Sequence, residues 1–246
     1  MRLAVISDIH GNIAALEAVL DDIAGRGITH IVNLGDSLSG PFDAVATANR
    51  LLELDLLTVS GNHDRMLYDR PRSEMGLWED WIVDDLKPHH FDWIRSLPLV
   101  ARMGDVFLCH ASPNNDDENW LDHRGHGNRL IARDLNEVEL RAVGLDFPVI
   151  LCGHTHTPRT VRLSDGRLIV NPGSVGCPAY LDTRAETPFI HQTGSPDARY
   201  AVLEGNVDAC KVDLCSVPYD TTPMVRMAEA RGAESWAKAV GTGWIT

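Results

Sequence analysis

Aspartate, asparagine and histidine residues recur along the chain, each close behind a short apolar run. The first such run spans residues 3–6 and the last spans residues 149–152. Short apolar runs that end in turn residues predict buried strands, and open α/β sheets bind their ligands at the carboxyl ends of such strands. The polar residues at these five strand ends are Asp8, His10, Asp36, Asn62, His63, Asp64, His110, His154 and His156.

Residues of these types are common metal ligands. Asp8 and His10 are two positions apart, so in extended backbone both side chains point to one side of the chain and can reach a single ion. One Asp or His after a strand is usually a helix cap or turn former, but recurrence at five strand ends favours a metal site. Carboxylate and imidazole ligands without thiolate suit manganese, iron or zinc. Even seven of these nine residues are too many ligands for one ion, whereas two ions about 3.5–4 Å apart that share a carboxylate accommodate them. Asp36, in the middle of the set, is the expected shared ligand.

The elements that would position these residues begin as alternating strands and helices. Apolar residues at helical spacing follow the first strand at 13–23 and the second at 42–54, which predicts a parallel sheet with crossover helices. Residues 65–97 combine aromatic residues with many charges and Pro88. We expect a helical insertion of two short helices there, with most of its aromatic residues in the core. Residues 130–143 are predicted to form a further helix.

After residue 157 the apolar residues alternate with polar ones. Runs at 161–163 and 167–170 flank Asp165-Gly166, and runs at 200–203 and 207–214 flank Gly205-Asn206. These patterns predict two hairpins and a second sheet built from antiparallel strands. A weakly helical tail follows at about 221–246. Because the sequence has no internal repeat and no low-complexity linker, residues 1–246 are expected to form a single domain.

The composition limits the expected partners and compartment. The formal net charge of -13 over 246 residues argues against an extended nucleic-acid surface or binding to an anionic membrane, although bound cations would still admit an anionic substrate. The five cysteines are odd in number and lack C-x-x-C spacing, so we expect reduced thiols in a cytoplasmic protein. No apolar run approaches the ~20 residues that cross a bilayer. The sequence leaves open whether the chain forms a homodimer.

Together, the strand-end residues form an ordered set of five motifs. The set is Asp8-x-His10, Gly35-Asp36, Gly61-Asn62-His63-Asp64, His110 and Gly153-His154-x-His156. In content and order it resembles the calcineurin-like metallophosphoesterases; each motif alone is weak, and the ordered set is specific. The segments 8–12 (Asp-Ile-His-Gly-Asn) and 171–174 (Asn-Pro-Gly-Ser) further resemble the small prokaryotic phosphodiesterase-like branch, which includes some dinucleoside tetraphosphate hydrolases.

This resemblance implies a fold and a role for each site residue. The fold is an α/β four-layer α-β-β-α sandwich of two mixed β-sheets flanked by helices, the metallo-dependent phosphatase fold. One ion would bind Asp8, His10 and His156, the second would bind Asn62, His110 and His154, and Asp36 would bridge them. His63 would be the general acid that protonates the leaving group, with Asp64 orienting it. We expect manganese at both positions, with iron, zinc or nickel as alternatives.

The chain also departs from the protein phosphatases of this superfamily. Ser39 and Gly40 stand where those enzymes carry Asp and a phosphate-binding Arg, and Asp64 stands where they carry Glu. Protein phosphatase activity is therefore not expected. The candidates to replace the missing arginine are Arg65, Arg124 and Arg129, and the residues expected to contact substrate are Asn12, Asn62 and His63.

The implied function is hydrolysis of a small phosphodiester or phosphomonoester by in-line attack of a metal-bridging hydroxide. The alternative within enzymes is a hydrolase of dinucleoside polyphosphates such as diadenosine tetraphosphate. A non-catalytic relative that keeps the fold as a scaffold is the third hypothesis. Such a relative should have lost metal ligands, and none of the seven is missing here.

Overall fold

The computed structural model describes residues 2–184, 188–206 and 209–245. Within these residues the strands are β1 (Arg2–Ile6), β2 (Ile31–Asn33), β3 (Leu57–Thr58), β4 (Val100–Met103), β5 (Val106–Cys109), β6 (Asp122–Arg124), β7 (Leu130–Ala132), β8 (Val149–Leu151), β9 (Arg159–Arg162), β10 (Leu168–Asn171), β11 (Ala179–Asp182), β12 (Phe189–Gln192), β13 (Ala198–Glu204) and β14 (Lys211–Val217). The α-helices are α1 (Ile13–Gly25), α2 (Ala44–Leu54), α3 (Asn62–Asp69), α4 (Leu77–Asp80), α5 (Pro88–Ser96), α6 (Leu135–Arg141), α7 (Thr222–Ala230) and α8 (Glu234–Thr242).

Two five-stranded mixed sheets form the centre of the molecule. The first has the order β14-β13-β1-β2-β3 and the second the order β4-β5-β8-β10-β9. In the first sheet β1, β2 and β3 are parallel, and the antiparallel strands β13 and β14 lie on one side of them. In the second sheet β5, β8 and β10 are parallel, and β4 and β9 are antiparallel edge strands. The predicted fold of two mixed sheets flanked by helices is confirmed.

The alternation of side chains along β1 shows how the layers stack. Leu3 and Val5 pack between the two sheets against residues of the second sheet such as Leu151. Ala4 and Ile6 point the other way and pack against α1. Because successive strand residues face opposite sides, one apolar strand fills two cores. Helix α6 covers the outer face of the second sheet, which completes the four layers.

Two sequence predictions about secondary structure were wrong. Residues 130–143 do not form one helix: residues 130–132 form β7, which pairs antiparallel with β6, and α6 begins only at Leu135. The two predicted hairpins do not build a separate antiparallel sheet, because β13 pairs with β1 whereas β10 pairs with β8, so each hairpin completes a different mixed sheet. The predicted start of the last strand at Val207 lies outside the described residues, and the described strand begins at Lys211.

The region 65–97 contains two short helices, α4 and α5, as predicted, and it also includes part of a third helix. It holds most of α3, all of α4 and all of α5. Ile82, Leu86 and Ile94 pack with Ala48 of α2 in one apolar cluster.

The tail contains α7 and α8, which cover a further cluster that includes Phe42. The single-domain organisation stays a prediction. Among the described residues, none of the helices has the length and apolarity needed to cross a bilayer.

Candidate metal centre

The predicted strand-end residues lie together at one end of the two sheets. Single ligand atoms of Asp8, His10 and His156 lie within 4.8 Å of one another, and the same is true of a second group. That second group is Asp36, His110 and His154. Asn62 joins the second group, because its Oδ1 lies 3.2 Å from Nε2 of His110 and 3.2 Å from Nδ1 of His154. The structure therefore brings all seven predicted ligands into two adjacent groups.

Three of the four imidazoles are held by backbone carbonyls. Nδ1 of His10 donates to the backbone carbonyl of Ser39 (2.8 Å). Nδ1 of His110 donates in the same way to Leu34 (2.7 Å), and Nδ1 of His156 to Cys177 (2.8 Å). This arrangement fixes the tautomer and leaves Nε2 as the metal-binding nitrogen. Nε2 of His10 and Nε2 of His156 are only 3.2 Å apart. Either a proton or a metal cation must lie between these two nitrogens, because their lone pairs would otherwise repel each other.

The oxygen atoms of the site also fit cations. Oδ1 of Asp8 is buried and accepts no hydrogen bond from any described residue, although it lies 3.4 Å from Nε2 of His156. Oδ2 of Asp36 lies 3.2 Å from Nε2 of His110. A buried carboxylate oxygen without a donor is costly in water-free surroundings, and a divalent ion would satisfy it. The donor set of carboxylate, amide and imidazole suits such ions.

The charges around the site point to the same conclusion. Burial lowers the pKa of His10 to about 3, so this imidazole is neutral and able to bind a metal. At His110 burial also favours the neutral form, but the carboxylate of Asp36 outweighs it and raises the pKa to about 10. Asp8 likewise raises the pKa of His156 well above its usual value against the effect of burial. The two buried carboxylates thus favour positive charge at the ligand nitrogens.

The backbone of the site is strained. Five of the seven ligands have a positive φ: Asp8 (55°), His10 (51°), Asp36 (53°), His154 (68°) and His156 (57°). Residues with a Cβ rarely adopt this left-handed conformation, and such residues cluster at functional sites. Gly61 allows a further close approach, since a Cβ there would lie 2.1 Å from Oδ1 of Asp36. The local turns are therefore built around the ligands.

His63 lies beside the metal groups and contacts two residues that sequence reasoning missed. Its ring stacks on Trp78 with centroids 4.7 Å apart and planes 16° apart. Its Nδ1 hydrogen-bonds the carboxylate of Glu79, which is 1% exposed. Burial lowers the pKa of His63, but Asp36 and Glu79 outweigh burial and raise it above the usual value. The ring can therefore carry a proton near neutral pH.

One large cavity adjoins His63, and we call it the side cavity. Its volume is about 260 Å³. It is lined by Asp36, His63, Met66, Arg70, Gly76, Leu77, Trp78, Glu79, His154, His156, Tyr180, Leu181, Asp182, Thr183 and Arg184. Metal-ligand residues and the predicted general acid thus share one solvent-accessible space.

The contacts of Asp64 correct its predicted role. Its carboxylate accepts hydrogen bonds from the backbone N–H groups of Asp36 (2.8 Å), Ser37 (2.9 Å) and Gly61 (3.0 Å). The residue occupies the third position of α3, where an acidic side chain caps the helix start. Asp64 therefore holds the ligand loops, and Glu79 is the carboxylate that orients His63. A capping position directly after a strand was the signal that could have shown this.

The predicted substrate contact of Asn12 is also wrong. Its Oδ1 accepts from the N–H of Ala15 (3.0 Å), and its Nδ2 donates to Gly176 O (3.1 Å) and to the hydroxyl of Tyr219 (2.9 Å). The residue is fully buried as the N-cap of α1. With its polar atoms paired inside the protein, Asn12 has a structural role.

The arginines that line the side cavity differ from the three candidates. Arg65 is bound to Asp69 and Asp116, and it lines a separate cavity of about 220 Å³ that reaches His110. Neither Arg65 nor Arg124 nor Arg129 lines the side cavity, whereas Arg70 and Arg184 do. No sequence pattern predicts that Arg184 lies at the site, because the residue is placed there by the connection between the paired strands β11 and β12. Metal binding by the seven ligands and catalysis by His63 stay predictions.

Comparison with known families identifies the superfamily of this chain. Residues 1–196 match the model of the calcineurin-like phosphoesterase superfamily domain. The chain therefore belongs to the calcineurin-like phosphoesterases, and the resemblance seen in the five motifs is confirmed.

Relatives exist as sequences and as solved structures. An uncharacterised protein of Methanocaldococcus jannaschii is 29% identical over 241 residues, which cover 89% of this chain and 88% of that protein. The crystal structure of a metallophosphoesterase from Sphaerobacter thermophilus is 26% identical, with a TM-score of 0.75 over 99% of this chain and 100% of that one. A hypothetical protein from Pyrococcus horikoshii OT3 shares the fold at 18% identity, with a TM-score of 0.73 over 100% of this chain and 99% of that one.

Proposed function

We propose that this chain is a metal-dependent phosphoesterase that hydrolyses a small phosphomonoester or phosphodiester with two divalent ions. The observation that carries the proposal is the side cavity, which is lined by ligands of both metal groups and by His63. Membership of the calcineurin-like phosphoesterases supports the reaction class.

The residues present define how the ions would be held. Asp8, His10 and His156 would hold one ion, and His110, His154 and Asn62 would hold the other. Asp36 would be shared, as its Oδ2 already lies beside His110. When bound, such a pair of cations stabilises charge on phosphoryl oxygens and lowers the pKa of water. Manganese is our first choice, because oxygen and imidazole ligands suit it.

The chain supplies the proton for the leaving group. Hydrolysis breaks the ester P–O bond, joins an oxygen of water to phosphorus and requires a proton on the departing alkoxide. Glu79 occupies Nδ1 of His63, so Nε2 is the nitrogen left to donate that proton. The stacked indole of Trp78 holds the ring plane. A positioned imidazole contributes about 10²–10⁴-fold to such a step.

The test is metal-dependent turnover of matched substrates. Chelator-treated protein is assayed with p-nitrophenyl phosphate and bis(p-nitrophenyl) phosphate after manganese, nickel, zinc or magnesium is added back. We expect turnover that depends on added metal. Hydrolysis of diadenosine tetraphosphate but of neither chromogenic ester would favour the dinucleoside polyphosphate alternative. Absence of turnover on all three substrates, with metal bound, would contradict the proposal.

A further inference from the structure

The side cavity has two facing walls of different origin. One wall comes from α3 and α4 with the segment between them and includes Met66, Leu77 and Trp78. The other comes from the end of β11 and includes Leu181 and Arg184. The metal-ligand residues line the same cavity. A molecule bound in the cavity would therefore contact the metal groups and both walls.

Apolar side chains are exposed on both walls. Leu77 is 60% exposed and Leu181 is 43% exposed. Both leucines line the side cavity, next to its charged groups. Trp78 adds an aromatic surface that already stacks on His63. Exposed apolar residues on a cavity wall, combined with a few polar groups, are typical of a ligand site. Together the two walls suit an apolar or aromatic group that lies next to His63, the proposed proton donor.

Of the two arginines that line the side cavity, Arg70 and Arg184, the second lies beside the metal-ligand residue Asn62. Nη1 of Arg184 lies 3.2 Å from Nδ2 of Asn62, a contact without a hydrogen bond because both groups are donors. Nη1 is also 3.2 Å from Oδ1 of Asp117, and Nη2 is 3.3 Å from Oδ2 of Asp182. The side chain is 44% exposed, so these ion pairs are weak ones. A guanidinium has five N–H donors and binds phosphate oxygens well.

We propose that the side cavity binds the organic part of a phosphoester whose leaving group is apolar or aromatic, and that Arg184 binds a phosphoryl oxygen of that substrate. This inference rests on the proposed function and specifies its substrate class. Leu77, Trp78 and Leu181 contact the leaving group, which lies beside His63. Arg184 takes the part of the phosphate-binding arginine that is absent at Gly40.

Binding of stable phosphate mimics to the metal-loaded protein tests this inference without turnover. Calorimetry compares inorganic phosphate, methylphosphonate and phenylphosphonate. We expect phenylphosphonate to bind about tenfold more tightly than methylphosphonate, since the ring buries additional apolar area. Leu77→Ser and Leu181→Ser should each reduce that ratio to about threefold or less. Leu140→Ser, at a leucine that is 71% exposed on α6 outside the cavity, is the matched control and should leave the ratio unchanged.

The arginine is tested separately with the same three anions. Arg184→Gln should weaken all of them about tenfold, because each loses a charge-assisted hydrogen bond, and should leave the phenyl-to-methyl ratio unchanged. Arg2→Gln, which removes an arginine paired with Glu204 at the far end of β1, is the control. Equal affinity for the two phosphonates, or unchanged affinities in Arg184→Gln, would overturn the inference while metal-dependent hydrolysis could persist. Metal-loaded protein that neither binds phosphate nor hydrolyses any ester would overturn the proposed function, and this inference with it.

Discussion

Nδ1 of His63 is hydrogen-bonded to the carboxylate of Glu79, which lies 16 positions further along the chain. Glu79 belongs to the short helix α4, and His63 to the first turn of α3. Burial raises the pKa of Glu79, but the bond to His63 outweighs burial and holds the pKa below its usual value. An ionised carboxylate in this position fixes the ring and leaves Nε2 for the substrate.

Glu79→Gln should lower kcat about 10–100-fold, as loss of a group that orients a catalytic residue commonly does. The metal content should be unchanged, because Glu79 is outside both ligand groups. Steady-state kinetics and metal analysis of the same preparation measure the two effects. Glu74→Gln, in the same segment but outside the side cavity, is the control. Wild-type kcat in Glu79→Gln would show that the pair does not serve catalysis.

His63→Ala should lower kcat about 10²–10⁴-fold, since the leaving group loses its proton donor, while two ions remain bound. The loss should be smaller for substrates whose leaving groups are good without protonation. Rates for a series of aryl phosphates of different leaving-group pKa measure this dependence. Protein that holds one ion or none after this substitution would instead identify His63 as a ligand.

Asp64→Ala should destabilise the fold more than it impairs chemistry. Three backbone N–H groups lose their acceptor, which costs about 3 kcal/mol or more in free energy of unfolding, since an unpaired buried donor costs about 1–3 kcal/mol. Asp64→Asn keeps one acceptor oxygen, so its free energy of unfolding should fall less than that of Asp64→Ala. Chemical denaturation measures both, with Asp69→Asn on the same helix as control. A stable Asp64→Asn protein that has lost turnover would restore the catalytic role inferred from sequence.

A buried ion pair supports the loop between His154 and His156. Asp122 is fully buried; it accepts hydrogen bonds from Arg159 (2.6 Å) and from the hydroxyl of Thr155 (3.1 Å). Asp122→Asn should lower the free energy of unfolding by roughly 2–4 kcal/mol, slightly below the cost of breaking a fully buried pair, because Arg159 is 25% exposed.

The same substitution should weaken metal binding about tenfold through the loosened loop. Denaturation and metal titration measure the two effects. Asp165→Asn, which removes the exposed partner of Arg167, should change stability by less than about 1 kcal/mol. If Asp122→Asn proved as stable as that control, the ion pair would not support the loop.

The ligands could be predicted from sequence because they follow strands. His110 comes directly after an apolar run and Asp36 follows one after a single glycine, and the ends of neighbouring parallel strands converge. The left-handed backbone of Asp36 could not be predicted, because only the packed structure can impose a φ of 53° on that residue. The order of strands within the two sheets also depended on long-range pairing that no local pattern encodes.

The neighbours of the ligands were harder to predict. Glu79 and Arg184 lie in segments without periodicity and reach the site only through tertiary packing. Asp64 was assigned to its sequence neighbour His63, but on a helix adjacent side chains point in different directions. The sequence therefore predicted the ligand residues at the strand ends but not the residues, such as Glu79 and Arg184, that lie around them.

The most direct test of the metal centre is to locate the ions themselves. Crystals of manganese-loaded protein should show two anomalous peaks about 3.5–4 Å apart, with Asp36 between them. Asp36→Asn should lose at least one peak and all turnover, because the shared carboxylate is removed. Two peaks bounded by the seven ligands would establish the dinuclear centre. A single peak, or none with manganese in excess, would contradict it.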